Sequence, residues 1–259
     1  MNAAAVIQTR MGSTRFPGKV MAKLNEKHKV LDYVINQLRF CKSIKNLIIA
    51  TSYLEQDDVI EDIANRLKIQ CFRGDSDDVL DRYYQCAKKF EADNILRITS
   101  DCPLIDPEIV DKVITMYLTK DYDYVSNTLI KTFPVGTDVE VFSFEVLENT
   151  WNNAKLPSER EHVTPYIRNN KLNCRLGNFL NDKKQENYRW TLDRNEDLIL
   201  IKKIVQNINK RPILIKDIME LFSRNQNLIN INSHIPKNEG MMKSLEKDKI
   251  EQRRKHEEN

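Results

Sequence analysis

Short apolar runs alternate with stretches of helical periodicity over roughly the first 130 residues of the chain. The apolar runs lie at residues 3–7, 46–51, 69–72 and 94–99, and helical spacing occurs at 30–40, 52–67, 73–90 and 107–118. Strands that alternate with helices in this way are typical of a parallel sheet with helices on both faces. The sequence therefore predicts an α/β fold with a mostly parallel, Rossmann-like sheet.

The second half of the chain predicts a smaller α+β region and a charged tail. Strand-like runs lie at 123–127, 138–142, 173–179 and 188–192, and helices are predicted at 144–151, 157–168, 197–208 and 214–224. A capping box of Ser158 and Glu161 is expected at the start of the helix at 157–168. We expect a single domain over residues 1–236, followed by a tail at 237–259 that is either solvated helix or disordered.

Composition excludes several classes of protein. The 41 basic and 38 acidic residues are interleaved, and a net charge of +3 does not favour nucleic-acid binding. No apolar run approaches 18 residues, so no membrane-spanning helix is expected, and the first residues read as a strand rather than a signal peptide. Five scattered cysteines without a Cys-x-x-Cys pair predict reduced thiols in a cytoplasmic protein, with neither disulfides nor a zinc site.

A basic loop, residues 8–19, directly follows the first predicted strand. It carries Arg10, Arg15 and Lys19 without an acidic residue, and its glycines and Ser13 allow the backbone to turn tightly and approach a ligand. In α/β folds, phosphates bind at the carboxyl ends of the strands. A solvated surface loop is the alternative, but it explains one basic residue better than three.

The basic loop matches neither of the two common phosphate-binding motifs. Walker A requires Ser or Thr after Gly-Lys, whereas Val20 follows Lys19, and the dinucleotide fingerprint requires three glycines where only Gly12 lies near the strand. Positive charge for phosphate binding therefore comes from long cationic side chains, in addition to the hydrogen bonds that backbone N–H groups donate. This arrangement suits a triphosphate, or a pyrophosphate that leaves during a reaction.

Two aspartates are candidates for binding a metal ion. Asp101 follows the strand at 94–99, at the same edge of the sheet as the basic loop, and Mg²⁺ prefers one or two carboxylates together with phosphate oxygens. For Asp106, just before Pro107, capping of a helix is the favoured interpretation. Asp193 ends the run at 188–192 and precedes a helix, so from the residues alone it is either a metal ligand or a helix cap.

The pattern Arg10-x-x-Ser13-x-Arg15-x-Pro17-x-Lys19 resembles the signature of the sugar-acid cytidylyltransferases, which couple CTP to Kdo or to acylneuraminates. Within that family, this loop and the segment Thr-Ser-Asp-Cys-Pro-Leu-Ile-Asp at 99–106 are most similar to the spore coat polysaccharide biosynthesis protein SpsF group. The resemblance runs from about residue 4 to 222. It implies a GT-A-like nucleotidyltransferase fold, CTP as substrate, Mg²⁺ and a homodimer.

The resemblance also implies roles for residues on the nucleotide side. Asp101 and Asp193 would hold Mg²⁺, and Asn195, Glu196 and Asp197 would cap the helix after them. Lys19, Arg10 and Asp101 would be the catalytic residues. The set expected to contact CTP comprises Arg10, Ser13, Arg15, Lys19, Arg73 and Gly74.

On the acceptor side, the segments at 135–142 and 159–166 resemble the SpsF group, and the region 123–190 would bind the acceptor and form the dimer. An anionic acceptor needs a cationic partner, and Arg160 or Arg189 can serve. Glu140 is a candidate for binding hydroxyls, and His162 is either a polar core residue or a substrate donor. Kdo enzymes carry Gln-Gly-Asp where this chain has Thr-Ser-Asp at 99–101, which argues against Kdo itself as acceptor.

The predicted function is transfer of CMP from CTP to an anionic sugar acid or a related acceptor, with release of pyrophosphate, for surface polysaccharide or glycoconjugate synthesis. One alternative is a glycosyltransferase that uses a nucleotide-sugar, although Asp101 lacks the second aspartate that such enzymes carry. The other is a catalytically silent nucleotide-binding or assembly subunit, against which Lys19, Asp101 and Asp193 argue.

Overall fold

A computed structural model describes residues 3–169, 171–236 and 239–257. Its centre is a seven-stranded sheet with the order β3-β2-β1-β4-β6-β5-β7. The first four strands are β1 (Ala3–Gln8), β2 (Asn46–Ser52), β3 (Gln70–Gly74) and β4 (Asn94–Thr99), and all their pairings are parallel. The remaining strands are β5 (Tyr124–Ser126), β6 (Glu140–Ser143) and β7 (Leu176–Asn178).

The sheet changes direction at β6, which runs antiparallel to both β4 and β5, while β7 is parallel to β5. The prediction of an α/β fold with a mostly parallel sheet is thus confirmed. The predicted strand at 188–192 is wrong, since only Arg189 forms a single bridge, to Val135. The segment is instead held against the loop after β4, because the Leu192 N–H donates to the Asp101 carbonyl at 2.8 Å.

Helices cover both faces of the sheet. Their bounds are α1 (Val30–Leu38), α2 (Asp58–Leu67), α3 (Val79–Lys89), α4 (Pro107–Thr119), α5 (Phe144–Asn153), α6 (Pro157–His162), α7 (Pro165–Arg168), α8 (Asn195–Asn207), α9 (Ile215–Arg224) and α10 (Glu239–Glu257). Alternate side chains of β1 enter different cores, since Ala5 and Ile7 pack with α1, α2 and α4, whereas Ala4 and Val6 pack with α3 and α5. A third core joins α8 and α9.

The predicted helix at 157–168 is divided into α6 and α7 around Val163, whose φ is 70°. The predicted capping box of Ser158 and Glu161 is wrong. Glu159 caps α6, because its carboxylate accepts from the N–H groups of residues 155 and 156, each at 3.1 Å. The Ser158 hydroxyl instead donates to Asp248 at 2.5 Å.

The charged tail forms α10, which packs against α6. Ser244 and Asp248 on α10 are buried, so this helix is not solvated on all sides as the sequence suggested. The predicted tail also includes residues 237, 238, 258 and 259, which lie outside the described residues. Across the described ranges, none of the helices combines the length and the apolar character needed to cross a membrane.

Candidate active site

The loops that follow β1 and β4 open onto one cavity of about 240 Å³. They are adjacent because β1 and β4 are parallel neighbours, with Gln8 opposite Thr99. The basic loop folds back on itself, since the Gly18 N–H donates to the Met11 carbonyl at 2.9 Å. Gly18 has φ 69°, a conformation that glycine adopts without a steric penalty.

Lys19 joins the two predicted metal-binding aspartates. Its Nζ lies 2.8 Å from Oδ2 of Asp101 and 2.9 Å from Oδ1 of Asp193. Burial disfavours the charged ammonium, but the two carboxylates outweigh burial and raise the pKa of Lys19. Burial also opposes ionisation of Asp101, and the Lys19 ammonium overcomes it and lowers the pKa of that carboxyl. All three groups are therefore charged at neutral pH.

Asp193 is held by two further cations. Arg15 Nη2 lies 2.5 Å from its Oδ1 and Arg189 Nη2 lies 3.0 Å from its Oδ2. Although burial opposes it, Lys19 and then Arg15 hold the pKa of Asp193 far below its ordinary value. The side chain that caps α8 is Asp197, which accepts from the N–H groups of Asp193 and Arg194 at 2.9 and 3.0 Å. Asp193 therefore belongs to the ion cluster of Lys19 and Asp101 and does not cap α8, although it is not one of the described residues that line the cavity.

Of the other residues predicted on the nucleotide side, some line the cavity and some do not. Arg10 and Ser13 line the cavity, and Arg10 Nη1 donates to the Ser76 carbonyl at 2.8 Å. Arg73 is not among the described residues that line the cavity, and its Nη1 pairs with Glu61 at 3.0 Å. Gly74 is packed closely, since a Cβ there would lie 2.9 Å from a ring carbon of Phe72 and 3.0 Å from Cγ of Arg82.

The sequence from residue 4 to residue 227 matches the cytidylyltransferase family. The chain belongs to that family. It is 35% identical over 237 residues to an uncharacterized protein of Methanocaldococcus jannaschii, a match that covers 91% of this chain and 96% of the relative. It is 34% identical over 229 residues to the spore coat polysaccharide biosynthesis protein SpsF of Bacillus subtilis, with 85% and 93% covered. This cytidylyltransferase is accordingly a CTP-dependent nucleotidyltransferase.

Solved structures support the same assignment. A cytidylyltransferase from Leptospira borgpetersenii superposes with a TM-score of 0.85 at 32% identity, covering 88% of this chain and 97% of that one. A CMP:2-keto-3-deoxy-manno-octonic acid synthetase complexed with CTP shares the fold, with a TM-score of 0.62 at 15% identity over 80% of this chain and 99% of that one. The 3-deoxy-manno-octulosonate cytidylyltransferase of Trichlorobacter lovleyi is 33% identical over 118 residues, 46% of each chain.

The cationic residues predicted on the acceptor side of the cytidylyltransferase are already paired. Arg160 Nε lies 2.9 Å from Oδ2 of Asp78, and Arg189 is buried between Asp193 and Asp197. Neither guanidinium is available for a substrate anion without breaking these pairs. Arg189 instead orients the carboxylate of Asp193.

Glu140 and His162 have different surroundings. Glu140 is buried, and its Oε1 accepts from Tyr124 and Thr164, both at 2.6 Å. His162 lines the cavity, and its Nε2 lies 2.9 Å from the Ser244 hydroxyl. Burial lowers the pKa of His162, with Glu161 opposing that effect, so the imidazole is neutral at neutral pH.

Sequence reasoning missed three residues that line the cavity: Arg82, Arg97 and Gly240. Arg97 had a detectable signal, because a cation in the middle of an apolar strand is costly unless it is paired or used. Arg82 lies on the face of α3 that points into the protein, where helical spacing alone predicts an apolar residue. Gly240 carried no local signal, because only packing of α10 on α6 brings it to the cavity.

Proposed function

We propose that this cytidylyltransferase transfers CMP from CTP to an anionic sugar acid or a related acceptor and releases pyrophosphate. The product would serve the synthesis of a surface polysaccharide or glycoconjugate. The likeness to SpsF of Bacillus subtilis, a spore coat polysaccharide biosynthesis protein, supports this biological role.

The observation that carries the proposal is the position of Lys19 between Asp101 and Asp193. The cluster lies beside a cavity whose other walls include Arg10 and Arg15 of the basic loop. Nucleotidyl transfer depends mainly on positioning and on electrostatic stabilisation, so it requires cations and carboxylates rather than a side-chain nucleophile. The cavity supplies both kinds of charge.

The proposed reaction is a single in-line displacement. An oxygen of the acceptor forms a bond to the α-phosphorus of CTP, and the bond from that phosphorus to the oxygen bridging to the β-phosphate breaks. Pyrophosphate departs with the bonding electron pair, and any proton on the attacking oxygen passes to solvent. Lys19, Arg10 and Arg15 are proposed to neutralise the charge that develops on the β- and γ-phosphates, and Ser13 to bind the triphosphate.

The donor set fits Mg²⁺. The Asp101 carboxylate lines a cavity suited to phosphates, and the Asp193 carboxylate shares Lys19 with it. Mg²⁺ characteristically combines such carboxylates with phosphate oxygens and water. Within the described residues no cluster of three or more metal-ligating side chains occurs, which argues against a site formed by protein alone. When bound with CTP, Mg²⁺ would neutralise phosphate charge and lower the pKa of an attacking hydroxyl.

The proposal also covers further contacts with the nucleotide, the location of the protein and its oligomeric state. Arg73 and Gly74 are proposed to contact the ribose or base of CTP, which requires Arg73 to exchange its present partners for the nucleotide. We also propose that the protein is a cytoplasmic homodimer. Analytical ultracentrifugation of the purified protein tests the oligomeric state.

Thermal unfolding with a panel of nucleotides tests the donor. A ligand that binds only the folded state raises stability by about 2.7 kcal/mol at a hundredfold excess over Kd. We expect stabilisation by CTP with Mg²⁺, and weaker or no stabilisation by UTP, ATP, GTP or UDP-glucose. Pyrophosphate release from CTP is then measured with nonulosonates, Kdo-like acids, phosphonates and uncharged sugars as acceptors.

The outcomes separate the competing functions. Stabilisation by UDP-glucose instead of CTP contradicts the proposal and favours a glycosyltransferase. CTP binding without pyrophosphate release from any acceptor favours a catalytically silent nucleotide-binding subunit. Release with uncharged sugars alone contradicts the anionic acceptor while leaving CMP transfer intact.

A further inference from the structure

We propose that Arg97 is the residue that binds the anionic group of the acceptor. The inference rests on the proposed function, since it assumes an anionic acceptor for CMP. It deepens that function by assigning the acceptor's charge to one guanidinium that the sequence patterns did not suggest.

Arg97 is a cation in the interior of the sheet. It lies on β4, between Val6 of β1 and Glu140 of β6, and its side chain is only 12% exposed. A buried guanidinium is costly unless it is paired, and Glu140 provides the pair through Arg97 Nη1. Tyr124 and Thr164 in turn fix the Glu140 carboxylate, so the pair has a defined orientation.

The Arg97 guanidinium lines the cavity and keeps an unused donor. Its buried Nε has no hydrogen-bond partner among the described residues, although a guanidinium offers five N–H donors. Arg97 also remains charged, because Glu140 outweighs burial and raises its pKa. A cavity-lining cation with an unsatisfied donor is suited to a carboxylate or another oxyanion.

Sheet topology places Arg97 on the side from which the acceptor must approach. The basic loop follows β1, whereas the partner of Arg97 lies on β6, and β4 separates these two strands. In an in-line displacement the attacking oxygen and the leaving pyrophosphate lie on opposite sides of the phosphorus. If the basic loop holds the pyrophosphate, the acceptor approaches from the β6 side, where Arg97 lies.

The other cavity residues are less suited to this role. His162 lines the same side but is neutral, because burial lowers the pKa of its imidazole. Arg82 is 1% exposed, and its Nη1 donates to the Asp75 carbonyl at 3.0 Å in the loop between β3 and α3, so its guanidinium is held toward β3 rather than toward β6. Lys19 and Arg15 are the cations proposed above to bind the phosphates of CTP, so they are not assigned to the acceptor.

The test measures steady-state kinetics and CTP binding in variants of the full chain. Arg97→Met combined with Glu140→Gln removes both charges of the buried pair, so no carboxylate is left buried and unpaired. Arg97→Lys keeps a cation, Glu140→Gln alone shows what loss of the carboxylate does, and Arg175→Met changes an exposed arginine that is paired with Asp121 and Asp123. The acceptor probes are N-acetylneuraminate, Kdo and a phosphonate, each with an uncharged ester, which is the methyl ester of each carboxylic acid and the dimethyl ester of the phosphonate.

We expect the double variant to bind CTP with Mg²⁺ as the wild type does, which shows that it is folded. Its KM for the acid should rise at least tenfold, as expected for the loss of a charge-assisted hydrogen bond. It should also lose the wild-type preference for the acid over the methyl ester. Arg97→Lys should retain part of that preference, Glu140→Gln should weaken it because it removes the carboxylate that orients Arg97, and Arg175→Met should retain all of it.

An unchanged preference for the acid in the double variant would overturn the inference while leaving CMP transfer standing. An equal loss of preference in Arg175→Met would also overturn it, because the effect would then not be specific to the buried guanidinium. A wild-type protein that binds CTP but uses none of the acids contradicts the proposed acceptor class, and the inference is overturned with it.

Discussion

At the scale of single residues, the candidate site is a cluster of ion pairs in which one charged side chain has more than one partner of opposite charge. Lys19 is the common partner of Asp101 and Asp193, which come from separate segments of the chain, and Arg15 and Arg189 hold the second aspartate from either side. The positions of Lys19 and Asp101 after predicted strands indicated a common edge of the sheet, and the resemblance to the cytidylyltransferases added Asp193. Arg189 was predicted as a cationic partner for the acceptor, and its pairing with Asp193 was not predicted.

Replacing Lys19 with Met tests the catalytic role of its ammonium. The variant lacks a cation for the phosphates and leaves Asp101 and Asp193 without their shared partner. By analogy with other preorganised electrostatic groups, we expect turnover to fall by roughly 10²–10³-fold. Pyrophosphate release is the measurement, and Lys23→Met, at an exposed position, is the matched control. Equal activity of the two variants would rule out the proposed role.

The low pKa of Asp193 predicts acid sensitivity. Lys19 and Arg15 hold the folded-state pKa below the value of about 3.9 expected in an unfolded chain. Near and below that pH the unfolded state therefore binds more protons than the folded state. The stabilisation is present above about pH 4, and it is lost as the pH falls toward the folded-state pKa.

Urea unfolding between about pH 6 and pH 3 measures this effect. We expect the free energy of unfolding of the wild type to decrease over that range, and Asp193→Asn to show a smaller decrease. Asp62→Asn, at an exposed position on α2, should follow the wild type. If Asp193→Asn loses as much stability on acidification as the wild type, the ion cluster does not have the assigned protonation states.

At the scale of secondary structure, local pattern was sufficient for the four parallel strands. The four parallel strands are short apolar runs, and their positions were predicted to within a few residues. The run at 188–192 has the alternation of a strand but forms only a single bridge, from Arg189 to Val135, and its Leu192 N–H donates to the Asp101 carbonyl instead of to a neighbouring strand. Such a competition between distant segments is not visible in local sequence.

The helix α10 is a second element whose packing against distant segments was not visible in local sequence. Its composition predicted a solvated or disordered tail, yet Asp248 accepts from the N–H and hydroxyl of Ser158 at 2.9 and 2.5 Å. A second contact joins Arg194 to Glu239 at 2.7 Å. Gly240 then forms part of the cavity wall beside Arg15, where a Cβ would lie 3.0 Å from Nη1.

Asp248→Ala is expected to loosen α10 and weaken the binding of CTP. Hydrogen bonds to a buried charged group contribute about 1.5–3 kcal/mol each, and this variant removes two. Hydrogen exchange should accelerate across α10, and the Kd for CTP should rise. Glu246→Ala, at an exposed position on the same helix, is the matched control. Identical exchange and affinity in the two variants would show that α10 does not contribute to the site.

At the scale of the whole molecule, parallel and antiparallel parts of one sheet meet at β4. The basic loop and Asp101 come from the parallel part, and Arg97 is turned toward the antiparallel part by Glu140. The sequence predicted the nucleotide half of this arrangement, because each residue there follows an apolar strand. The residues predicted on the acceptor side have protein partners from distant segments, since Arg97 pairs with Glu140 and Asp78 pairs with Arg160, and local sequence does not indicate such pairs. Their contact with the acceptor stays a prediction.

Asp101 and Asp193 are proposed to support CMP transfer from CTP. Pyrophosphate release with CTP, Mg²⁺ and a sugar acid tests this role when it is compared among the wild type, Asp101→Asn, Asp193→Asn and Asp62→Asn. We predict Mg²⁺-dependent release by the wild type and Asp62→Asn, and a loss of roughly 10²-fold or more in the other two variants. Release that persists unchanged in both Asp101→Asn and Asp193→Asn would contradict the account.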